Sequence, residues 1–466
     1  MQLFVNFLKV SQYSTALTVS IAAVFIGMTV GWTGNITDVL LAGQYNNIPI
    51  SETLLSWIVS SINLGSLVFT IPCGIVGDVF GRKIALLFLT IPTLLGCLLI
   101  YFATSVNFIL IGRFLNGVSN GTFYGLIPIY LTEIGETKIR GKVASFYQPF
   151  SALGVLLSFI LGYLTNIKLH TMFIVLVQIL FFVTFLFQVE SPVYKAKIGK
   201  YEEAKMILSQ LRRKSHDVSA ELEEIKLGLE QNRTNISIRE VVKRRSTKLA
   251  FIISVSLVFF QQFSGSIMVY FYVFEIFDVS GSTLNHKQAT IFIGTIRVIS
   301  AVATSSVMEL FTRKKLLSIS SFSSGLGLII LGLYYTLNDY NLVSENMLST
   351  LSFMPILGLS VFIVMSTFGL NTLPQIVTAE LFPIEAKSIG VSIVGCFNWF
   401  FLFLISQFYS NLKTSVGGDG TFYIFACVCF TSGIFAIFAL PETKGKSFED
   451  IQYNLNNKTK LDRTCC

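Results

Sequence analysis

Acidic and basic side chains recur at matched spacings in two distant parts of the chain. Glu133 and Arg140 lie seven residues apart, and Glu380 and Lys387 repeat that spacing. Oppositely charged side chains at helix ends can form ion pairs in one conformation and separate in another. The pattern therefore predicts a charge lock. The alternative is that these charges only anchor the ends of helices.

Further charged residues repeat in the same order around these pairs. Asp78 precedes Arg82 in one short polar loop, and Glu309 precedes Arg313 in another. Near-equal offsets between independent motifs indicate a duplication within the chain. The residues of the predicted charge lock are Asp78, Arg82, Glu133, Arg140, Glu190, Glu309, Arg313, Glu380, Lys387 and Glu442.

Amide side chains interrupt several apolar stretches. Gln148 lies in one stretch, and Gln261 and Gln262 lie together in another. A buried amide is costly in free energy unless it is hydrogen-bonded or lines a wet cavity. These side chains therefore either bind a polar ligand or hydrogen-bond one helix to another.

The residue types that enzymes use are sparse. The histidines are His170, His216 and His286, which the sequence places in loops and far apart. Neither a metal-ligand spacing nor a phosphate-cradling glycine loop is present in the sequence. We therefore expect no catalytic residue, no metal and no cofactor, and we predict that the protein is not an enzyme.

The composition places most of the chain in lipid. Hydrophobic residues make up 53% of the 466 residues, whereas charged residues make up 13%. Ordinary soluble proteins carry about a quarter charged residues. This excludes a cytosolic enzyme, a disordered protein and a nucleic-acid binder, so we expect the lipid bilayer as a partner and no nucleic acid.

Twelve apolar stretches are long enough to cross a bilayer as helices, since about 20 residues span its hydrocarbon core. They lie at 14–33, 54–77, 84–104, 107–130, 143–165, 170–189, 249–276, 289–310, 315–336, 351–379, 389–410 and 421–440. The outer loops then hold only Lys168, Lys287 and Lys413, which places both termini in the cytoplasm. Pro374 lacks a backbone N–H and predicts a break in the tenth span.

One long polar segment separates six spans from six. Its apolar residues recur at helical spacing, which predicts short amphipathic helices beneath the membrane. Its basic run at 243–245 is either a solvated, positive-inside linker or a lipid-binding switch. The predicted fold is an all-α polytopic membrane protein with twelve transmembrane helices in two six-helix halves, 1–190 and 249–441, joined by a cytoplasmic helical linker at 191–248 and followed by a cytoplasmic tail at 442–466.

Several motifs resemble those of the sugar porter family of the major facilitator superfamily. The matching stretches are residues 128–133 with Arg140-Gly141 (P-x-Y-x-x-E…R-G), residues 261–265 (Q-Q-x-S-G) and residues 440–449 (the closing P-E-T-K-G motif). Residues 31–33 and 271–272 resemble the insect facilitated trehalose transporters most. The resemblance covers essentially the whole chain and implies the major facilitator fold.

The resemblance also implies which side chains bind a sugar, whose hydroxyl groups both donate and accept hydrogen bonds. Tyr272 either gates the outer side of the cavity or is an interfacial aromatic. Gln375 stands where the family has the tryptophan that caps the sugar, and Ile267 stands where it has an asparagine. The implied binding residues are Gln148, Gln261, Gln262, Tyr272, Arg297, Gln375, Asn398 and Trp399.

Arg297 is the most unusual member of this set, because relatives place an amide there. It lies in the eighth span, roughly 12 Å below its outer end at ~1.5 Å per residue. A charge facing lipid at that depth costs at least ~2.5 kcal/mol. Arg297 therefore either faces the cavity, which implies a substrate with acidic character or an altered binding mode, or reaches the outer interface toward Glu275 or Asp278.

The first span indicates how transport is driven. Proton-coupled members of the family carry an aspartate where this chain has Thr29, and no other acidic residue lies deep in a predicted span. A proton carrier needs a group that titrates inside the membrane. We therefore expect facilitated diffusion of trehalose or a hexose. The alternatives are a sugar sensor of the same fold that does not transport, and a transporter of a modified or acidic sugar.

The remaining expectations concern the setting of the protein. The family resemblance implies a monomer in the plasma membrane. Asn35 begins a glycosylation sequon in the first outer loop, which predicts a glycan. Cys465 and Cys466 end the chain, either as plain reduced thiols or as acylated ones.

Overall fold

The computed structural model describes residues 11–34, 36–136, 146–212, 217–231, 244–271, 286–383, 387–446, 450, 451, 453 and 455. Over these ranges the chain forms helices and no strand. The predictions made for Asn35, Arg140, Tyr272, Cys465 and Cys466 concern positions outside the described residues.

The first part of the chain folds into long apolar helices and short connecting ones. They are α1 (Gln12–Gly34), α2 (Thr37–Leu41), α3 (Glu52–Phe80), α4 (Arg82–Phe88), α5 (Thr90–Tyr101), α6 (Val106–Ile134), α7 (Tyr147–Leu164) and α8 (Ile167–Leu186). Helix α6 is 29 residues long but carries the buried polar residues Arg113, Asn116 and Asn120. It is thus long enough to cross a bilayer and more polar than its neighbours.

Three short helices form the linker, and the second part of the chain again forms long apolar helices. The linker has α9 (Pro192–Lys197), α10 (Tyr201–Leu211) and α11 (Val218–Gln231). The later helices are α12 (Arg245–Phe263), α13 (Met268–Phe271), α14 (His286–Leu310), α15 (Arg313–Asp339), α16 (Glu345–Thr350), α17 (Met354–Phe368), α18 (Leu373–Leu381) and α19 (Lys387–Phe438).

Within the described ranges, ten helical stretches are long and apolar enough to cross a membrane. One of them, Ile389–Phe438, has 50 residues, or roughly 75 Å at ~1.5 Å per residue. That is more than twice the ~30 Å hydrocarbon core. Gly417 interrupts it with a φ of 82°, so α19 consists of two helices. The fold is the predicted all-α membrane architecture, while the count of twelve spans stays a prediction.

Two of the apolar stretches break where the sequence demands it. The break between α17 and α18 lies just before Pro374, which occupies the first turn of α18, where no backbone N–H is needed. The break between α12 and α13 contains Gly265, whose φ of 79° favours glycine. The predicted break of the tenth span is therefore confirmed, and the seventh span has a break as well.

Contacts between residues divide the chain into two compact units. The first unit comprises Met1–Trp32, Ala42–Ile50 and Ser61–Asn235, and the second comprises Thr33–Leu41, Ser51–Ser60 and Ile236–Cys466. The linker helices thus belong to the first unit. The four-part division predicted from the sequence stays a prediction.

The linker helices carry a small hydrophobic core of their own. Ala196, Ala204, Leu208 and Leu222 are buried together, with Ile225 and two further apolar residues packed against them. Six apolar linker positions recur at helical spacing. Five of them belong to this core and the sixth is buried as well: Ala204, Leu208, Leu222, Ile225 and Leu229, and then Leu211. Amphipathic linker helices are therefore present as predicted.

Candidate functional site

The loop between α3 and α4 holds a cluster of charges in the first unit. Arg82 begins α4, and its Nε lies 3.1 Å from Oε2 of Glu133, near the end of α6. Its Nη1 lies 2.9 Å from Oδ1 of Asp78 and donates to the carbonyl of Gly77. The Arg82 and Glu133 side chains are 9% and 12% exposed, so their pair is shielded from solvent, whereas Asp78 is half-exposed. The two pairs join the ends of α3, α4 and α6.

Glu190 completes this first charge cluster through the backbone. Its carboxylate accepts hydrogen bonds from the N–H groups of Lys83 and Ser191, at 3.0 and 2.8 Å. Gly81 makes the approach possible, because it has a φ of 97° and a side chain there would collide with this carboxylate. Burial raises the pKa of Glu190, and the N–H donors and the charge of Arg82 offset only part of that rise.

The second unit repeats this arrangement around Arg313, at the start of α15. Its Nη2 lies 3.2 Å from Oε1 of Glu380, and its Nη1 donates to the carbonyl of Met308. The other Glu380 oxygen accepts a hydrogen bond from the Thr443 hydroxyl at 2.6 Å. Glu442 accepts hydrogen bonds from the N–H groups of Arg313 and Lys314. This second charge cluster reproduces the bonding of the first.

Thr312 takes the place of Gly81 in the second charge cluster and has an ordinary φ of −75°. Burial by itself would raise the pKa of Glu442. Hydrogen bonds from the N–H groups of Lys444, Arg313 and Lys314 and from the Thr312 hydroxyl outweigh that effect, so the pKa is lowered. The two equivalent glutamates are therefore shifted in opposite directions.

The structure brings some members of the predicted lock together and leaves others apart. In the described part of the chain, no salt bridge joins Glu309 to Arg313, unlike the pair that Asp78 forms. Burial lowers the pKa of Lys387, and the nearby charge of Glu380 offsets part of that shift. Both partners of every ion pair described above lie in one unit, so these pairs fix helix ends within that unit.

Amide side chains of the second unit converge from three helical stretches. Nε2 of Gln262 donates to Oδ1 of Asn398 on α19 at 2.6 Å. Nε2 of Gln261 donates to the carbonyl of Asn371, in the break before α18, at 3.0 Å. Oε1 of both glutamines is buried and has no hydrogen-bond partner among the described residues. A buried acceptor without a donor is costly, so these two oxygens suit a ligand that donates hydrogen bonds.

The other predicted binding residues lie at several places. Trp399 is 8% exposed and follows Asn398 on α19. Gln375 is half-buried in the first turns of α18. Gln148 is half-buried at the start of α7 and belongs to the first unit.

Arg297 stacks on an aromatic ring. Its guanidinium carbon lies 4.0 Å from the ring centroid of Tyr270, which is 2% exposed. Its Nη1 is buried and has no hydrogen-bond partner among the described residues. Cation–π contacts of this kind are worth about 2 kcal/mol or more when desolvated. The arginine is therefore held against a buried ring of its own unit and keeps donors for another group.

The first unit contains a buried polar network. Nη1 of Arg113 donates to the carbonyl of Thr29 at 2.8 Å, and its guanidinium lies over the ring of Trp32. Nδ2 of Asn120 contacts the Thr29 hydroxyl at 3.2 Å. The sequence offered one signal for it, since Arg113, Asn116 and Asn120 recur on one face of α6.

His286 was wrongly assigned to a loop, since it begins α14, and so was His170. It lies in α8, is 0% exposed, and its Nε2 is 2.9 Å from the Ser158 hydroxyl. Asn166 explains the error, because its side chain caps the helix by accepting from the N–H of Leu169. The stretch 166–170, in which Asn166, Lys168 and His170 are polar, therefore begins a helix rather than forming a loop.

Comparison with known proteins places the chain in a family. The family described as "Sugar (and other) transporter" matches residues 4–455. The facilitated trehalose transporter Tret1 of Apis mellifera ligustica is 30% identical over 95% of this chain and 87% of its own length. The sugar transporter ERD6-like 6 of Arabidopsis thaliana is 28% identical over 95% of this chain and 90% of its own.

A solved structure shares the fold. The xylose transporter XylE from E. coli, in a partially occluded inward-open conformation, superposes with a TM-score of 0.77 at 21% identity. The match covers 94% of this chain and 99% of that one. With the family match over nearly the whole chain, the conclusion follows that this protein belongs to the sugar (and other) transporter family.

Proposed function

We propose that this protein carries trehalose or a hexose across the membrane by facilitated diffusion, through alternating access of a central site. The observation that carries the proposal is the pair of buried, unpartnered oxygens on Gln261 and Gln262. Sugar hydroxyls would satisfy both. The honeybee relative is a facilitated trehalose transporter, which supports trehalose as a substrate. The bonds of Gln262 and Gln261 to Asn398 and Asn371 orient the amides before a sugar arrives.

Uptake of labelled glucose and labelled trehalose by cells that express the protein at their surface tests this proposal. We expect saturable uptake of at least one sugar, reduced at least tenfold by Gln262→Ala at equal surface expression. Gln178→Ala is the matched control. Gln178 is an equally buried amide of the first unit that donates to the carbonyl of Thr90 and also keeps a buried, unpartnered Oε1, but no second glutamine adjoins it in the sequence. Sugar binding without uptake would instead establish a sensor.

Arg297→Gln refines the choice of substrate. If the free donors of Arg297 bind an acidic group, the variant loses binding of an acidic sugar such as a uronic acid and gains or keeps neutral-sugar uptake. If neutral sugar is the substrate and Arg297 only stacks on Tyr270, Arg297→Gln lowers neutral-sugar uptake modestly and no acidic sugar competes. Competition by glucuronate against labelled glucose separates these two outcomes.

Transport without proton coupling is supported by the environment of Arg113. Its guanidinium contacts a threonine carbonyl, and no Asp or Glu is among the fully buried side chains of the described residues. We expect sugar addition to cause no proton flux in the wild type, whereas Thr29→Asp introduces a pH-dependent uptake rate. His170 is the titratable group to exclude. Proton flux in the wild type that His170→Asn abolishes would overturn the uncoupled mechanism.

The two charge clusters form the proposed lock. We propose a monomer in the plasma membrane with both termini in the cytoplasm, as the distribution of basic residues indicates. Epitope tags at either end should be accessible only after permeabilisation. A glycosidase should lower the apparent mass of the wild type but not of Asn35→Gln. A tag accessible in intact cells would contradict the orientation.

A further inference from the structure

A crevice on the second unit opens beside the first turns of α15. Its volume is about 440 Å³. Thr312, Ser318 and Ile319 line it from the start of α15, and Ile437 and Glu442 line it from the end of α19 and the segment after it. Two further lining residues, Lys314 and Lys315, bring adjacent positive charges to its wall. The crevice is separate from the amides of the proposed sugar site.

The two lysines of the crevice are unneutralised among the described residues. Neither ammonium group takes part in a salt bridge or a side-chain hydrogen bond there. The equivalent lysine of the first unit, Lys83, instead donates through Nζ to the carbonyl of Leu186 at 2.9 Å. Ile84 stands in the first unit where Lys315 stands in the second. The duplication has therefore left two cations in one unit only.

In the second unit a different lysine binds a helix end. Nζ of Lys444 donates to the carbonyls of Glu309 and Phe311, at 2.6 and 3.2 Å. Among the described residues, Lys314 makes no bond like that of Lys83 to a helix end. Glu442, the acidic residue of the crevice wall, directs its oxygens at the N–H groups of Arg313, Lys314 and Lys444. The N–H groups that bind the Glu442 carboxylate therefore compete for its negative charge with the ammonium groups of Lys314 and Lys315.

Large exposed apolar side chains lie in the wall of the crevice and close in sequence to its lining residues. Leu310 is 76% exposed, Phe438 is 77% exposed, and Ile319 and Ile437 in the wall are also exposed. They lie where membrane-spanning helices end, so they sit at the level where acyl chains meet headgroups. Cations beside such apolar surface match the two parts of an anionic phospholipid.

We propose that this crevice binds an anionic phospholipid, with Lys314 and Lys315 at the headgroup phosphate and Ile319 and Ile437 against an acyl chain. The leaflet in which it lies follows from the orientation given under the proposed function. The binding site itself depends neither on that orientation nor on the sugar. If the lipid-binding proposal fails, the result of the sugar-uptake experiment is unaffected.

The test measures lipid retained by the purified full-length protein. Protein reconstituted with labelled phosphatidylglycerol or labelled phosphatidylcholine is re-extracted in mild detergent, and the bound lipid is counted. We expect phosphatidylglycerol to be preferred. The Lys314→Ala/Lys315→Ala variant should bind it roughly 30-fold more weakly, from the usual contribution of two lysines near an anionic headgroup. Lys314→Arg/Lys315→Arg should retain it.

Two controls make the result decisive. Lys200→Ala/Lys205→Ala removes the same charge from exposed linker positions and should bind phosphatidylglycerol like the wild type. Equal retention by the crevice variant and this control would overturn the proposal. Competition with inorganic phosphate distinguishes a phospholipid-binding site from a site for a free anion. Displacement of the labelled lipid by millimolar phosphate would show a free-anion site and would also overturn the lipid assignment.

Discussion

Gln262 and Asn398 show how single side chains define the proposed sugar site. The Nε2 group of Gln262 donates a hydrogen bond to Asn398. This bond fixes the direction of Oε1, the buried acceptor of Gln262. Asn398 also holds Gln262 in place, so under the proposed function it contributes to sugar binding even where it touches no sugar. The pair is pre-organised for a hydroxyl donor.

Asn398→Ala tests that pre-organisation. The change leaves the Gln262 Nε2 without its acceptor, which costs about 1–3 kcal/mol. We expect the Michaelis constant for sugar uptake to rise several-fold, while the maximal rate per surface molecule changes less. Asn398→Asp retains an acceptor oxygen and should preserve more affinity. Equal affinity in the alanine variant and the wild type would contradict the positioning role.

Gly81 and Thr312 occupy equivalent turns under different constraints. Gly81→Ala places a side chain at a positive φ and against the Glu190 carboxylate, so we expect a loss of about 1–3 kcal/mol of folding free energy. Thr312→Ser keeps both an ordinary φ and the hydroxyl near Glu442 and should change stability little. Thermal unfolding in detergent compares the two. A tolerated Gly81→Ala would refute the crowding argument.

The two glutamates should respond to pH with opposite signs. The folded-state pKa of Glu442 is lowered, so its stabilisation is present above the unfolded pKa and is lost as pH falls through the folded value. The pKa of Glu190 is raised, so its contribution is greatest below the unfolded pKa and is lost as pH rises. Glu442→Gln should therefore destabilise the protein at pH 7, whereas Glu190→Gln should not. Unfolding curves between pH 4 and 8 measure both.

At the scale of elements, Arg212 attaches the linker helices to the membrane helices of the first unit. It caps α10 and pairs with Glu221 on α11 at hydrogen-bond distance. Its Nη1 donates to the carbonyl of Ile134 at the end of α6 and contacts the side-chain oxygen of Gln12 at the start of α1. One buried guanidinium thus links four helices.

Arg212→Ala should release the linker from this position. Only 1% of the Arg212 side chain is exposed, and removal of one partner from a buried ion pair costs about 3–5 kcal/mol. We expect a lower unfolding temperature and faster proteolysis between α10 and α11. Lys226→Ala breaks a solvent-accessible pair with Glu223 and removes a cation from the ring of Tyr201, and it should cost only about 1 kcal/mol. Similar proteolysis of both variants would contradict the linkage.

The elements were predictable from the sequence where hydropathy alone decides them. The apolar stretches, the break at Pro374 and the linker helices are present because long apolar runs, a missing N–H and helical spacing leave few alternatives. His170 was missed because the cap by Asn166 starts α8 within a partly polar stretch. The different bonding of Glu309 and Asp78 could not be predicted either, since both carboxylates lie four residues before an arginine and, among the described residues, only Asp78 forms the ion pair.

At the scale of the whole molecule, each half carries one charge cluster built on the same plan. If the clusters lock helix ends during alternating access, Arg82→Ala and Arg313→Ala should each lower the maximal uptake rate several-fold with little change in sugar affinity. Asp78→Asn, at a half-exposed position, should have a smaller effect. Uptake and exchange kinetics measure the maximal uptake rate and the sugar affinity separately. A change confined to affinity would favour simple anchoring.

The membership of the linker in the first unit bears on how the protein is made. The first unit ends at Asn235, so the contacts that Arg212 makes are available when about half of the chain has left the ribosome. The linker core can then close over helices already inserted by the translocon. Residues 33–41 and 51–60, by contrast, belong to the second unit and gain their partners only after synthesis of the later helices. These early segments therefore complete their packing last, although they are among the first to be translated.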